Sequence, residues 1–160
     1  MRWYLTCGRG EGSTELNAFD AALLQAGLGN VNNIKLSSIL PPRAQELRGK
    51  IPHNELHYNH ESGSKVYSAQ ADIRCSFKGF QIAAAIAVGI PEDPDLPGLI
   101  MENHCRGGQA ECEAQVVDMV REGMALRGWP IKEVRSIAVE ATCKDKCVAA
   151  FAALVEIDDD

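Results

Sequence analysis

Two stretches of this chain are apolar at nearly every position: Phe80 to Ile90, rich in Ala, Ile and Val, and Val148 to Ile157, whose side chains are small enough to be buried. A strand alternates its side chains between two faces, so a strand apolar on both must be covered on both. Such strands need a layer above and a layer below. The covers are legible. Ser13 or Thr14 caps a helix over 14–26, with Leu16, Phe19 and Leu23 at helical spacing and Gly27 past its end. A second helix follows Gly107-Gly108 and runs to about Arg127, with Cys112, Val116, Val120 and Met124 on one stripe and Gly128 as the stop.

The remaining segments fill in a repeated order. Trp3-Tyr4-Leu5 reads as a short strand leading into Gly8-Arg9-Gly10-Glu11-Gly12, a flexible turn; without a following Lys the glycine spacing makes no phosphate cradle. Ile34 to Leu40 reads as one alternating strand, halted by Pro41-Pro42 because proline cannot extend a sheet ladder. Arg43 to Ser64 is polar and predicts a long exposed loop or hairpin. Tyr67 to Ser76, Gly98 to Glu102 and Val134 to Ala141 supply further strands. Two similar halves result, each a sheet covered by a helix, and the fold expected is an α/β (α+β) four-layer α/β/β/α sandwich. At 160 residues the chain, 1–160, is expected to form a single domain able to bury about two-thirds of its unfolded surface.

Charge and composition narrow the partners. A net charge of -6 and a pI near 5.2 argue against nucleic acid and anionic membrane, both of which require clustered Lys and Arg. No apolar run approaches the ~18 residues of a membrane span. Met1-Arg2-Trp3-Tyr4-Leu5-Thr6 is too short and polar for a signal peptide, so a cytoplasmic protein acting on a small molecule is expected. In that compartment Cys7, Cys75, Cys105, Cys112, Cys143 and Cys147 read as reduced thiols.

Few residues announce chemistry by themselves. Ser37-Ser38 is an ordinary strand end; Glu102 is a strand-end carboxylate; Asn30, Asn32 and Asn33 are turn residues; Asp20 is an exposed helix position. His53, His57 and His60, with His104-Cys105, Cys112, Cys143 and Cys147, supply the ingredients of a zinc site, but no CxxC pair is present and Cys143 to Cys147 is wider than a zinc knuckle.

Order along the chain changes this weighting. Gly10-Glu11-Gly12-Ser13-Thr14-Glu15-Leu16-Asn17-Ala18-Phe19-Asp20, Gly29-Asn30-Val31-Asn32 and Leu36-Ser37-Ser38-Ile39-Leu40-Pro41-Pro42 are followed by Ala87-Val88-Gly89-Ile90-Pro91, Gly98-Leu99-Ile100-Met101-Glu102, Arg127-Gly128-Trp129 and Ser136-Ile137-Ala138-Val139-Glu140. In this order, from residue 10 to about 155, the chain resembles the pyruvoyl-dependent arginine decarboxylases. The resemblance implies a trimeric sandwich that cuts itself between Ser37 and Ser38 into 1–37 (the beta chain) and 38–160 (the alpha chain). The Ser38 hydroxyl attacks the Ser37 carbonyl to give an ester; elimination and loss of ammonia leave a pyruvoyl group at residue 38, assisted by strain or a preorganised oxyanion site. Its ketone draws off the electrons left when an amino acid loses carbon dioxide.

The resemblance also implies roles. Glu102 is the proton donor, and its place after Leu99-Ile100-Met101 predicts a desolvated carboxyl. Asn32 polarises the pyruvoyl carbonyl, Asp20 reads the substrate guanidinium, and Leu23 lines its aliphatic stem. The product is then agmatine, and the assembly a homotrimer or a multiple of it. The alternatives are a decarboxylase of the same fold for another amino acid, and a non-cleaving module that binds a small molecule or zinc. The polar stretch from Arg43 to Ser64 departs most from the family pattern.

Overall fold

The structure is a computed structural model that describes residues 1–47, 58 and 60–158. Its elements are β1 (Arg2–Gly12), α1 (Glu15–Gln25), β2 (Asn32–Lys35), β3 (Ile39–Leu40), β4 (Gln45–Glu46), β5 (Lys65–Cys75), β6 (Gln81–Pro91), β7 (Gly98–Arg106), α2 (Gln109–Leu126), β8 (Ile131–Thr142) and β9 (Cys147–Ile157). One sheet has the order β2-β5-β9-β1-β4 and the other β3-β7-β6-β8.

The two apolar runs are central strands. β9 pairs antiparallel with both β1 and β5, and β6 pairs antiparallel with both β7 and β8. Their alternation feeds three separate cores. Phe151, Ala153 and Val155 of β9 pack beneath α1, whereas Ala150, Ala152 and Leu154 face the other sheet. Along β6, Ala83, Ala85 and Ala87 lie under α2, while Ile82, Ile86 and Val88 meet the β9 sheet from the opposite side. The expected α/β/β/α order of layers follows. Each fully buried Phe, Leu or Ile contributes roughly 1.5–3 kcal/mol of transfer free energy.

The helices behave as their caps require. The Thr14 hydroxyl accepts the Asn17 amide at 3.1 Å, and Gly27 takes a φ of 81° just beyond α1. Cys112, Val116, Val120 and Met124 are all buried on the inner stripe of α2.

Two expectations are corrected. The glycines at 8, 10 and 12 form no turn: they are part of β1, all on the face beneath α1. A Cβ on Gly8 would lie 2.2 Å from the Ala22 carbonyl oxygen, and one on Gly10 2.4 Å from the Ala22 nitrogen, so the glycines let α1 seat its buried Ala18 and Ala22 directly on the strand. Second, the alternating run Ile34 to Leu40 is two strands in two different sheets, β2 and β3. Tertiary pairing divides what local pattern presents as continuous. Of the polar stretch, Gln45–Glu46 joins the first sheet as the parallel strand β4, and His53 and His57 lie outside the described residues.

Candidate active site

The point at which the chain changes sheets defines the site. β2 runs parallel to β5 from Asn32↔Lys65 to Lys35↔Ser68, and the Leu36 amide donates to the Ser68 carbonyl at 2.8 Å. Across the gap, β3 pairs with β7 through Ile39↔Leu99 and Leu40↔Gly98, and the Ile100 amide donates to the Ser38 carbonyl at 2.7 Å. Ser37 lies between these anchors, exposed and in no strand. The peptide joining it to Ser38 is therefore held from both ends by different sheets.

A buried network secures the first anchor. Ser68, fully buried, donates its hydroxyl to Asn33 Oδ1 at 2.7 Å, and the Asn33 amide donates to Gln70 Oε1. Every partner comes from β2 or β5, so the network fixes the edge strand just before it departs.

A cleft of about 480 Å³ opens at this crossing, lined by residues 35–38, Ala69 of β5, and Ile100 and Glu102 of β7. Because β3 is two residues long, β7 runs beyond it with a bare edge, and Glu102 emerges there. Its Oε1 lies 2.9 Å from Lys35 Nζ, the side chains being 41% and 56% exposed. The desolvation expected for Glu102 is thus not supplied by its own chain. A single Lys on an alternating strand is unremarkable in sequence, and the one signal that Lys35 carries is its place two residues before Ser37.

The other expected residues are not gathered in the same cleft. Asn32 stands at the far end of β2, where its amide donates to the Gly63 carbonyl at 2.8 Å. Leu23 is half-buried beneath α1, on the outer side of the first sheet, and Asp20 on the same helix is exposed with no polar partner among the described residues. Leu16 and Leu24, one turn to either side of Asp20, are 67% and 52% exposed.

Among the described residues no three His, Cys, Asp or Glu side chains are placed to hold a metal ion. His60 bonds through Nε2 to the Tyr4 hydroxyl at 3.0 Å, and all six cysteines are free. Burial pushes the Cys7 thiol up to about 11 and the Cys112 thiol up to about 12, so neither is a ready thiolate.

The chain is similar to known proteins over nearly its whole length. The family described as pyruvoyl-dependent arginine decarboxylase (PvlArgDC) matches residues 2–160. The chain is 45% identical over 152 residues to a pyruvoyl-dependent arginine decarboxylase of Methanococcus maripaludis (strain C5), covering 94% of this chain and 87% of that protein. It is 44% identical over 150 residues to the protein of that name from Methanocaldococcus jannaschii (93% and 85%), and 43% identical over 145 residues to that from Pyrococcus abyssi (91% and 87%).

Proposed function

The chain belongs to the pyruvoyl-dependent arginine decarboxylase family, and we propose that it cuts itself between Ser37 and Ser38, carries its pyruvoyl group at residue 38, and converts L-arginine to agmatine and carbon dioxide. The observation that carries this reading is the placement of the Ser37–Ser38 peptide: it crosses from one sheet to the other inside a cleft that also holds Glu102.

The corner fits such a group. Residue 38 must stay fixed on its carbonyl side while its nitrogen is released. Ile100 holds the Ser38 carbonyl, and the next residues are anchored to β7, with Leu40 buried between the sheets. On the other side Ser37 belongs to no ladder, so freeing it costs no strand pairing. The Ser38 hydroxyl needs only the adjacent Ser37 carbonyl as its target, and the two ends of that peptide are already fixed. The pyruvoyl group supplies the electron-withdrawing ketone that makes loss of carbon dioxide feasible. Glu102 delivers a proton to the carbon left behind, and its exposure lets solvent restore that proton.

Completion of the site requires a neighbouring copy. Asp20 and Leu23 lie across a sheet from their own Ser38, and Asn32 is a strand length away. In the homotrimer we propose, or a multiple of it, these residues of one chain meet the cleft of another: Asp20 receives the guanidinium, Leu23 its stem, and Asn32 polarises the residue-38 carbonyl. The exposed Leu16 and Leu24 around an unpartnered carboxylate support this interface. An amino acid as substrate fits a cytoplasmic enzyme, and we place it in that compartment; among the described residues no helix is long and apolar enough to cross a membrane.

Carbon dioxide release from a panel of basic and neutral amino acids tests the activity, with Glu102→Gln as the control. Arginine is the expected substrate, and Glu102→Gln retains the two fragments while turnover falls on the order of 10² to 10⁴, the usual worth of a positioned proton donor. Near-normal decarboxylation by that variant removes Glu102 from the mechanism.

A further inference from the structure

The contact between Lys35 and Glu102 has three properties that a stabilising ion pair does not need. It joins an edge strand of one sheet to the bare edge of the other, at the mouth of the Ser37–Ser38 cleft. Both side chains are about half exposed, a setting in which ion pairs contribute little to stability. Its two members also fall on opposite sides of the bond that breaks: Lys35 goes with residues 1–37 and Glu102 with 38–160.

We propose that Lys35 is a positioning residue for decarboxylation, which holds Glu102 beside residue 38 after the chain is cut and balances the charge Glu102 acquires when it gives up its proton. The inference rests on the reading of Glu102 as proton donor. In that step the C–CO₂ bond breaks, carbon dioxide leaves, and the electron pair remaining on the substrate carbon takes the proton of the Glu102 carboxyl; Glu102 becomes a carboxylate. An ammonium held 2.9 Å away stabilises negative charge as it develops, more in the transition state than in the resting acid, and so acts on turnover rather than on binding. It also keeps the spent donor from swinging into solvent before water returns a proton. Arg at this position retains the cation and its reach; Met retains the length without the charge.

The test compares Lys35→Met, Lys35→Arg, Glu102→Gln and the double variant Lys35→Met/Glu102→Gln as the full processed protein, with rates expressed per mole of pyruvoyl. Lys35→Met is expected to lose kcat on the order of 10- to 100-fold, the effect of a displaced reacting group, with KM changed far less. Lys35→Arg restores most of the loss, and adding Lys35→Met to Glu102→Gln costs nothing further because both act through one carboxyl. Carbodiimide treatment of the wild type is expected to join the two fragments through a Lys35–Glu102 amide, detected by mass spectrometry. The proposal is overturned by unchanged kcat in Lys35→Met, by losses that multiply in the double variant, or by absence of the cross-link. A Lys35→Met chain that stays uncut while Glu102→Gln is processed places Lys35 in cleavage instead and overturns it as well. If Glu102→Gln itself is fully active, it is the proton-donor reading that fails, whatever Lys35 does.

Discussion

β9 and the segment from Asn32 to Leu40 are similar in length and both supply strands, yet the sandwich uses them in opposite ways. From Val148 to Glu156 every residue of β9 has a cross-strand partner in β1 on one side and in β5 on the other. In the 32–40 segment β2 has only β5, β3 has only β7, and Ser37 has neither. A break in β9 would sever two ladders and open two cores. A break after Ser37 severs none. The proposed cut thus falls where no sheet depends on continuity, and the close spacing of the anchors at Leu36 and Ser38 would keep the new ends in place.

The largest effect expected from pressing this contrast is in the core. Phe151 is fully buried between α1 and its sheet, edge-on to Phe19 with ring centroids 6.1 Å apart. Phe151→Ala is expected to cost about 3–5 kcal/mol by urea denaturation, a large part of a domain's total of roughly 5–15 kcal/mol. A loss below 1 kcal/mol would mean that β9 is not the central strand its pairing indicates.

A smaller effect is expected at Asp20, which belongs to neither region within its own chain. Asp20→Asn should reduce kcat/KM for arginine on the order of 10- to 100-fold, the worth of a hydrogen bond to a charged group, and leave Ser37–Ser38 cleavage intact. The wild type should likewise reject citrulline, which has arginine's shape without its charge, because it leaves a carboxylate unpaired. Unchanged arginine kinetics in Asp20→Asn would remove this residue from the substrate pocket and leave the cleavage reading untouched.

The smallest effect concerns a polar contact remote from the cleft. Burial holds the His60 imidazole below its ordinary 6.5, so the unfolded chain takes up this proton before the folded one does. The neutral ring bonded to Tyr4 therefore contributes fully above about pH 6.5, and its contribution is lost as pH falls through the lowered value. Thermal midpoints measured between pH 7.5 and 5 should fall more steeply for the wild type than for His60→Gln; parallel curves would show that this ring does not titrate with folding.

The same contrast explains what was legible in the sequence. β6, β9 and both helices carry periodicity that only one environment satisfies, and their places followed from it. Ile34 to Leu40 reads as one alternating strand, but two sheets share it, and nothing local marks Ser37 as the boundary. The glycines at 8, 10 and 12 were misread for a related reason: glycine signals a turn or a close approach alike, and only the seat of α1 distinguishes them. β4 pairs through two residues, too few to leave a pattern, and β7 continues past Glu102 through polar residues that do not look like strand. At the site, Ser37-Ser38 and Glu102 were found through family blocks rather than through their own chemistry, and Lys35, outside those blocks, was not found.

Denaturing mass spectrometry of the freshly purified protein tests the central claim most directly. The wild type is expected as two chains of about 4 and 13 kDa, the 37/160 and 123/160 shares of 17.4 kDa, and Ser38→Ala as one chain near 17.4 kDa. A wild-type protein that decarboxylates arginine while intact, or a Ser38→Ala chain still split at the same bond, would contradict self-cleavage at the crossing between the sheets.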